Sequence, residues 1–494
     1  MRLPANPILT GCYPDPSICR VGGDYYLVTS TFEYFPGLPV FHSTDLTTWT
    51  QLGHALDRTD QLDLSTVPSS GGLFAPTIRH HDGIWYLVCT LVGGEGRQGN
   101  FVLTTRDPAG AWSDPIWLDD ARGIDPSLFF DDDRVWLCGT RLSETPLWHD
   151  QTEVWLRELD PHTLAPIGDE HLLWHGALIG AVWAEGPHLY RRGEWYYLLA
   201  SEGGTEFNHA LSIARSREVT GPYEGFAANP VLTHRNLGLN HPVVAVGHAD
   251  LVETPDGEWF AVLLASRPYG GYFANLGRET FAVEVEWQND WPVFAPGIGQ
   301  IVASASPAEE PRMPPHLHWT QLRTADPTFA ALDVDRETVT LRASTFGLDT
   351  VGTPSFLGVR QRHRDFSFAA TVDSTTLQEA TAAVAVRQSE GAFAELVLRN
   401  GTLSARVTVD GRQSELQSVP AGVGEVRLEV TATGQDYEFW AETGGDRIRV
   451  AAFDGRFLSS QAAGGFLGVW VGLLAVAPVA SEVEFSRVSY ASPG

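Results

Sequence analysis

Asp15 in YPDPS, Asp125 in IDPS and Glu185 in AEGP are carboxylates set 110 and 60 residues apart. Alone, an aspartate beside a proline is a turn or capping residue. Gathered in one small cavity, the three would do more. Like charges held close together cannot all stay ionised cheaply, so one carboxyl pKa rises while a neighbour remains a base. A protonated acid opposite an ionised base is the apparatus of glycoside hydrolysis, and an inverting enzyme holds the pair roughly 6.5–9.5 Å apart to admit a water. His248, in GHADL, stands at a similar point of the chain, and carboxylates with a histidine could instead hold a metal ion, Ca2+ being the natural guest for oxygen ligands.

A repeat predicts that these residues converge. Five segments pair a Gly/Asp turn with an aromatic-rich apolar strand: GGDYYLVTS, HDGIWYLVCT, DDDRVWLCGT, RRGEWYYLLAS and PDGEWFAVLLAS. That is the texture of the second strand of a hairpin. The first strands lie just upstream, as DPSICR, APTIRH, DPSLFF, EGPHLYR and HADLVE, with leading residues Asp15, Ala75, Asp125, Glu185 and His248. In the first four, the leading residue precedes the same point of the aromatic strand (Tyr25, Trp85, Val135, Trp195) by 10 positions. The spacings of 60, 50, 60 and 63 residues suit one four-stranded unit each, hence a β-propeller of five blades. Inner strands line the axis of such a fold, so the leading residues should share one funnel. Phe32, Tyr34, Phe35 and Phe74 lie close to the first two axial strands and could pack against a sugar.

Composition narrows the chemistry. The 494-residue chain is 43% apolar and 19% charged, as expected of a globular protein of two or three domains. Its formal charge of −28 argues against nucleic acid or anionic lipid as a partner and suits a neutral oligosaccharide. All 33 basic residues are arginine, so no lysine is available for a Schiff base or a phosphate-binding loop. Cys12, Cys19, Cys89 and Cys138 have no zinc-ligand spacing and read as free thiols. The literal GxGxxG at Gly94–Gly99 runs into a strand and reads as a hairpin loop, and DDDR at 131–134 as a turn. The start of the chain lacks the apolar stretch of a secretory signal, and the run GGFLGVWVGLLAVAPVA (464–480) reads as strand, turn and strand, so a cytoplasmic protein is expected.

The repeat ends near residue 305. Pro-rich, acidic 306–319 reads as a linker. Alternating runs such as FSFAATVDS, FAELVLRN and EVRLEVTAT make 320–494 an antiparallel β-sandwich. The expected architecture is therefore all-β, a five-bladed propeller over 1–305 followed by a sandwich.

The segments NPILTGCYPDPSICRVGGDYYLVTSTFEYFPGLPVFHSTDLTTW, LFAPTIRHHDGIWYLVCT, GIDPSLFFDDD, AEGPHLYRRGEWYYLLASEGGTEFNHA, NHPVVAVGHADLV and LGRETF resemble glycoside hydrolase family 43 β-xylosidases and α-L-arabinofuranosidases. The C-terminal part resembles the concanavalin-like sandwich of the two-domain members. The resemblance implies an inverting exo-hydrolase in which Asp15 is the general base, Glu185 the general acid and Asp125 the carboxylate that raises the acid's pKa. It implies that Arg278, in GRET, contacts sugar hydroxyls and the base. It places His248 near the axis, where some members use the histidine to hold Ca2+ through water; no other cofactor is implied. Phe32 and Phe74 would border the sugar, with Phe74 standing where many relatives have tryptophan. An aromatic residue from the sandwich walls the pocket in several members. Two other readings are a carbohydrate-binding propeller without catalysis and the same fold acting on another plant glycan such as arabinan. The first predicts loss of at least one acid, and all three are present.

Overall fold

The computed structural model describes residues 5–304, 310–324, 326, 328–333 and 335–493. The hairpins expected from the repeat are present. Ser17–Val21 pairs with Asp24–Val28, Thr77–His81 with Ile84–Val92 and Ile124–Asp131 with Arg134–Leu142. Glu185–Arg192 pairs with Trp195–Glu202 and Val244–Glu253 with Trp259–Ser266. Each hairpin opens a small antiparallel sheet, and the five sheets are the blades. Each inner strand touches the next, and Val244–Glu253 returns to Ser17–Val21, which closes the ring.

The ring is fastened by chain ends and apolar packing. Leu9 bridges to Thr280, and Asn6 exchanges two hydrogen bonds with the backbone of Ala282, so the N-terminal segment is stitched to the fifth blade. Tyr25, Leu27 and Phe41 of the first blade pack against Phe260 and Val262 of the fifth. The aromatic strands thus supply the contact between blades.

The second unit is a sandwich of an eight-stranded and a seven-stranded sheet. Its strands alternate as their sequences suggest: in Glu425–Thr433, Val426, Leu428, Val430 and Ala432 are buried while Glu425 and Thr433 are exposed. The two units do not meet end to end. Tyr34–Phe35 from the propeller pairs with Thr320–Leu322 and becomes the edge strand of the eight-stranded sheet. The linker expected over 306–319 lies partly outside the described residues, and its described part is packed: the Arg312 amide donates to Trp49 O, and Arg362 pairs with Glu310. In the run 464–480 a loop leads into a single strand, Trp470–Val476, and not a strand, turn and strand. Among the described residues no helix is long and apolar enough to cross a membrane.

Buried charges join the two units. The Arg387 guanidinium pairs with Glu33, donates to the Tyr34 hydroxyl at 3.0 Å and reaches Glu390 at 2.9 Å, while Arg323 also pairs with Glu390. Glu33 in turn accepts from Ser69 Oγ at 2.9 Å and the Ser70 amide at 3.1 Å. A charge buried without such partners would cost several kcal/mol, so this network fixes one docking of sandwich on propeller.

Candidate active site

The strand pairing corrects the sequence register at the fourth blade. Tyr25 faces Arg20, Trp85 faces His80 and Val135 faces Phe130, but Trp195 faces Arg192. The residue equivalent to Asp15 and Asp125 is therefore Gly186, and Glu185 lies one position before it. Backbone conformation agrees: Asp15, Asp125 and Gly186 have φ of 54°, 55° and 59°, each immediately before a proline. Aspartate tolerates this left-handed region, but the fourth blade also lacks room for a side chain there. A Cβ on Gly186 would meet His248 Nε2 at 2.9 Å. Glycine occupies the axial corner, and the acid is displaced by one residue into a bulge between Glu185 and His188.

The convergence nevertheless holds. Asp15, Asp125, Glu185, Ala75, His248, Arg278, Phe32 and Phe74 all line one cavity of about 490 Å³. Tyr34 and Phe35 do not: both are buried, and Tyr34 stacks on Trp470 at 3.8 Å. The reason is the edge strand they form, which turns them into the contact with the sandwich.

The three acids sit in different surroundings. Asp15 Oδ1 accepts from Arg278 Nη1 at 2.9 Å and faces His248 Nδ1 at 3.6 Å, while Oδ2 accepts from the Ser30 hydroxyl. Burial would raise its pKa, but the charges of Arg278 and His248 and the Ser30 hydrogen bond together outweigh it and hold the carboxyl below its ordinary value. Among the described residues the Asp125 carboxyl accepts only from the Gly186 amide, at 3.0 Å; burial, with help from the Asp15 charge, pushes it up against the pull of His248. The Glu185 carboxyl has no hydrogen-bond partner among the described residues. Burial, then the charges of Asp125 and Asp15, push it well above the usual carboxylate range, and Arg278 only partly offsets them. The cavity therefore sets a carboxyl biased toward its ionised form beside one biased toward its protonated form.

His248 offers a cation no direct ligand set. Among the described residues no three His, Cys, Asp or Glu side chains group as a metal site, and the Asp15 oxygens beside His248 are engaged by Arg278 and Ser30.

Several walls of the cavity escape the repeat. Trp183, Thr205 and Phe207 come from loops of the fourth blade, and Phe466 comes from the sandwich. Phe466 stacks on Phe32 at 5.9 Å and meets Phe74 edge-on at 6.0 Å, so the three rings make one apolar corner. The Arg278 guanidinium lies 5.5 Å from the rings of both Phe32 and Phe466. Nothing in the periodicity marks Phe466; the GG before it is the only local sign, since Gly465 takes φ 72° and a Cβ there would meet Ser70 Oγ at 2.3 Å. An open funnel thus becomes a pocket closed on one side by a second domain.

Comparison with known proteins agrees with this geometry. Residues 4–292 match the family described as glycosyl hydrolases family 43, and residues 312–491 match the β-xylosidase C-terminal concanavalin A-like domain. A xylosidase/arabinosidase of Butyrivibrio fibrisolvens is 38% identical, with 99% of each chain covered. A non-reducing end α-L-arabinofuranosidase of Bacteroides ovatus is 37% identical over 95% of this chain and 90% of its own. Among solved structures, a xylan β-1,4-xylosidase from Bacillus halodurans superposes with a TM-score of 0.89 at 30% identity, covering 99% of each chain.

Proposed function

Because the chain belongs to glycosyl hydrolases family 43, we propose that it is the exo-acting member its pocket describes, releasing terminal β-D-xylose or α-L-arabinofuranose from xylo- or arabino-oligosaccharides. The observation that carries this reading is the split among the three acids: Asp15 held down by Arg278 and His248, Glu185 pushed up by burial and by Asp125. Family membership alone would leave the roles open.

In this reading Asp15 is the general base and Glu185 the general acid of one displacement at the anomeric carbon. Asp15 takes a proton from water as the water oxygen bonds to that carbon. The bond to the leaving oxygen breaks as Glu185 gives that oxygen its proton, and the configuration inverts. Asp125 keeps Glu185 protonated by placing a carboxylate beside it, and its bond from the Gly186 amide ties it to the strand that carries Glu185. Arg278 spans Asp15 and Thr205 Oγ1, at 2.9 and 3.0 Å, which orients the base and leaves its outer face toward sugar hydroxyls. The corner of Phe32, Phe74 and Phe466 would carry the apolar face of one terminal sugar. A wall on that side suits removal of chain ends.

The test is release of nitrophenol from 4-nitrophenyl β-D-xyloside and α-L-arabinofuranoside, with Asp15→Ala as control. Release from at least one, abolished in the control, is the expected result. No release from either, or undiminished release by Asp15→Ala, overturns the reading.

A further inference from the structure

The cavity that holds the acids has a neighbour. A second cavity, of about 660 Å³, adjoins it and shares the walls Val182, Gly203 and Asn208; its remaining walls are segment 177–181 and Arg235. The side on which it lies matters. Val182 lies three residues before Glu185 on the same stretch of chain, and Gly203 two residues after Ser201, which pairs with Glu185. An acid that protonates the leaving oxygen must stand on the leaving group's side. The second cavity is therefore placed to receive what departs.

Its walls are built and not merely open. The buried Glu202 carboxylate accepts from the amides of Ala177 and Leu178 at 2.8 and 2.9 Å, the Trp148 indole donates to Ala181 O at 2.7 Å, and the Gly203 amide donates to Val182 O at 2.8 Å. On this anchored loop Ile179 is 96% exposed. A single exposed isoleucine is ordinary, but one held on a fixed loop at the edge of the acid's pocket presents an apolar platform to a sugar face. Arg235 is half-buried, and among the described residues no hydrogen bond or ion pair reaches its guanidinium. In a chain with 61 acidic residues and 33 arginines, that leaves a cation available to an incoming anion. Repulsion from the −28 net charge is screened beyond about 8–10 Å in ordinary salt, while a guanidinium–carboxylate contact acts at bonding distance.

We propose that this second cavity is a subsite for the leaving-group end of the oligosaccharide, in which Ile179 supports a sugar face and Arg235 selects a leaving group bearing a carboxylate, that is, an acidic sugar. The proposal rests on the glycosidase reading of the three acids. It refines a neutral substrate to one whose released terminal sugar is neutral and whose remainder carries the charge.

The test compares kcat/KM on three substrates that end in whichever sugar the nitrophenyl pair selects. One is the glycosyl fluoride, whose leaving group is a single atom and cannot reach the subsite. The others are a neutral xylo-oligosaccharide and the same oligosaccharide carrying a uronic acid on its leaving-group end. Arg235→Gln should lower kcat/KM on the acidic substrate by about tenfold, the scale of one lost charge-assisted hydrogen bond, and leave the other two within about twofold. Ile179→Ser should lower both oligosaccharides and spare the fluoride. Retained fluoride turnover shows that each variant is folded. Equal effects of Arg235→Gln on the acidic and neutral oligosaccharides, or none, overturn the proposal while the glycosidase reading stands. Absence of wild-type turnover on the fluoride and both nitrophenyl glycosides overturns the reading beneath it.

Discussion

Two clusters of buried charge sit among the inner strands of the propeller and are managed in opposite ways. In one, Asp250 is completely buried and its two oxygens accept from five donors: Ser17 Oγ at 2.7 Å, the Ile18 amide at 3.0 Å, Arg79 at 2.8 and 3.1 Å and the Tyr190 hydroxyl at 2.7 Å. Burial would raise its pKa, yet Arg79 and the hydrogen bonds hold the carboxyl far below its usual value. Those donors come from the first, second and fourth blades, so one carboxylate ties four blades together at the axis. In the other cluster the Glu185 carboxyl has no hydrogen-bond partner among the described residues and the Asp125 carboxyl has one. A saturated carboxylate holds the ring shut; an unsaturated one has proton affinity to spend on chemistry. Neighbouring residues make the contrast: Ser17 lies two residues after Asp15, and Asp250 two after His248.

The largest effects should come from exchanging a carboxylate for an amide in each cluster. Glu185→Gln should lower kcat/KM by about 10²–10⁴-fold on substrates with poor leaving groups, because general-acid assistance is lost. Its pH profile should lose the basic limb, since in the wild type activity falls as rising pH deprotonates Glu185, while the acidic limb from protonation of Asp15 remains. Steady-state kinetics across pH checks both. Asp250→Asn should instead act on stability, by about 3–5 kcal/mol in denaturant melts, because it leaves Arg79 buried without its counter-charge. The sign with pH follows from the depressed pKa of Asp250. Its contribution is fully present above the unfolded-state value and is lost only as pH falls through the lower folded-state value.

The same Glu185→Gln variant sharpens the contrast in stability. A group whose folded pKa is raised costs stability once pH rises above its unfolded value, because folding then requires a proton or a penalised charge. Melting at pH 7 should therefore show Glu185→Gln more stable than wild type by about 0.5–2 kcal/mol, the usual scale for relieving a strained functional site. A loss of stability there would erase the distinction between the clusters.

How much of this could be read from sequence divides along the same line. The blades were legible because each hairpin repeats a Gly/Asp turn and an aromatic strand, and both are local signals. The three acids were legible because a count of 10 positions back from the aromatic strand reaches Asp15, Asp125 and Glu185. That count, however, put Glu185 in register with Asp15. The pairing that makes Tyr196, not Trp195, the equivalent of Tyr25, and the approach of His248 to Gly186, are tertiary facts, invisible to spacing. The Asp250 cluster was missed for another reason: Ser17, Arg79 and Tyr190 are unremarkable residue types until the ring closes. Phe466 belongs to a different domain and follows no repeat, so only docking reveals it. Docking also explains the misreading of Tyr34 and Phe35, which are aromatic, near the axial strands, and committed to the sandwich.

A third charged cluster tests whether stability and chemistry are kept as separate as the first two suggest. Glu33 is clamped by Arg387 and holds the Ser70 amide, and Ser70 Oγ accepts from the Phe466 amide at 2.9 Å. A structural network of buried charge therefore ends on a wall of the pocket. Ser70→Ala removes that acceptor without disturbing the Glu33–Arg387 pair, and one such hydrogen bond is worth about 0.5–1.5 kcal/mol. If the network only glues the domains, kcat and KM should stay as in wild type while the melt shifts slightly. If it also sets the Phe466 ring against the sugar, KM should rise by about two- to tenfold with kcat little changed, since the ring contacts the bound sugar and not the breaking bond. The expected outcome is the rise in KM, because the loop carrying Phe466 has few other ties to that side of the pocket: Gly464 O accepts from Gln388 Nε2 at 2.9 Å, and Phe466 O from Arg278 Nη2 at a long 3.4 Å. Such a result would make docking of the sandwich part of substrate recognition, and would place the boundary between holding the fold and doing the chemistry inside a single hydrogen-bonded chain.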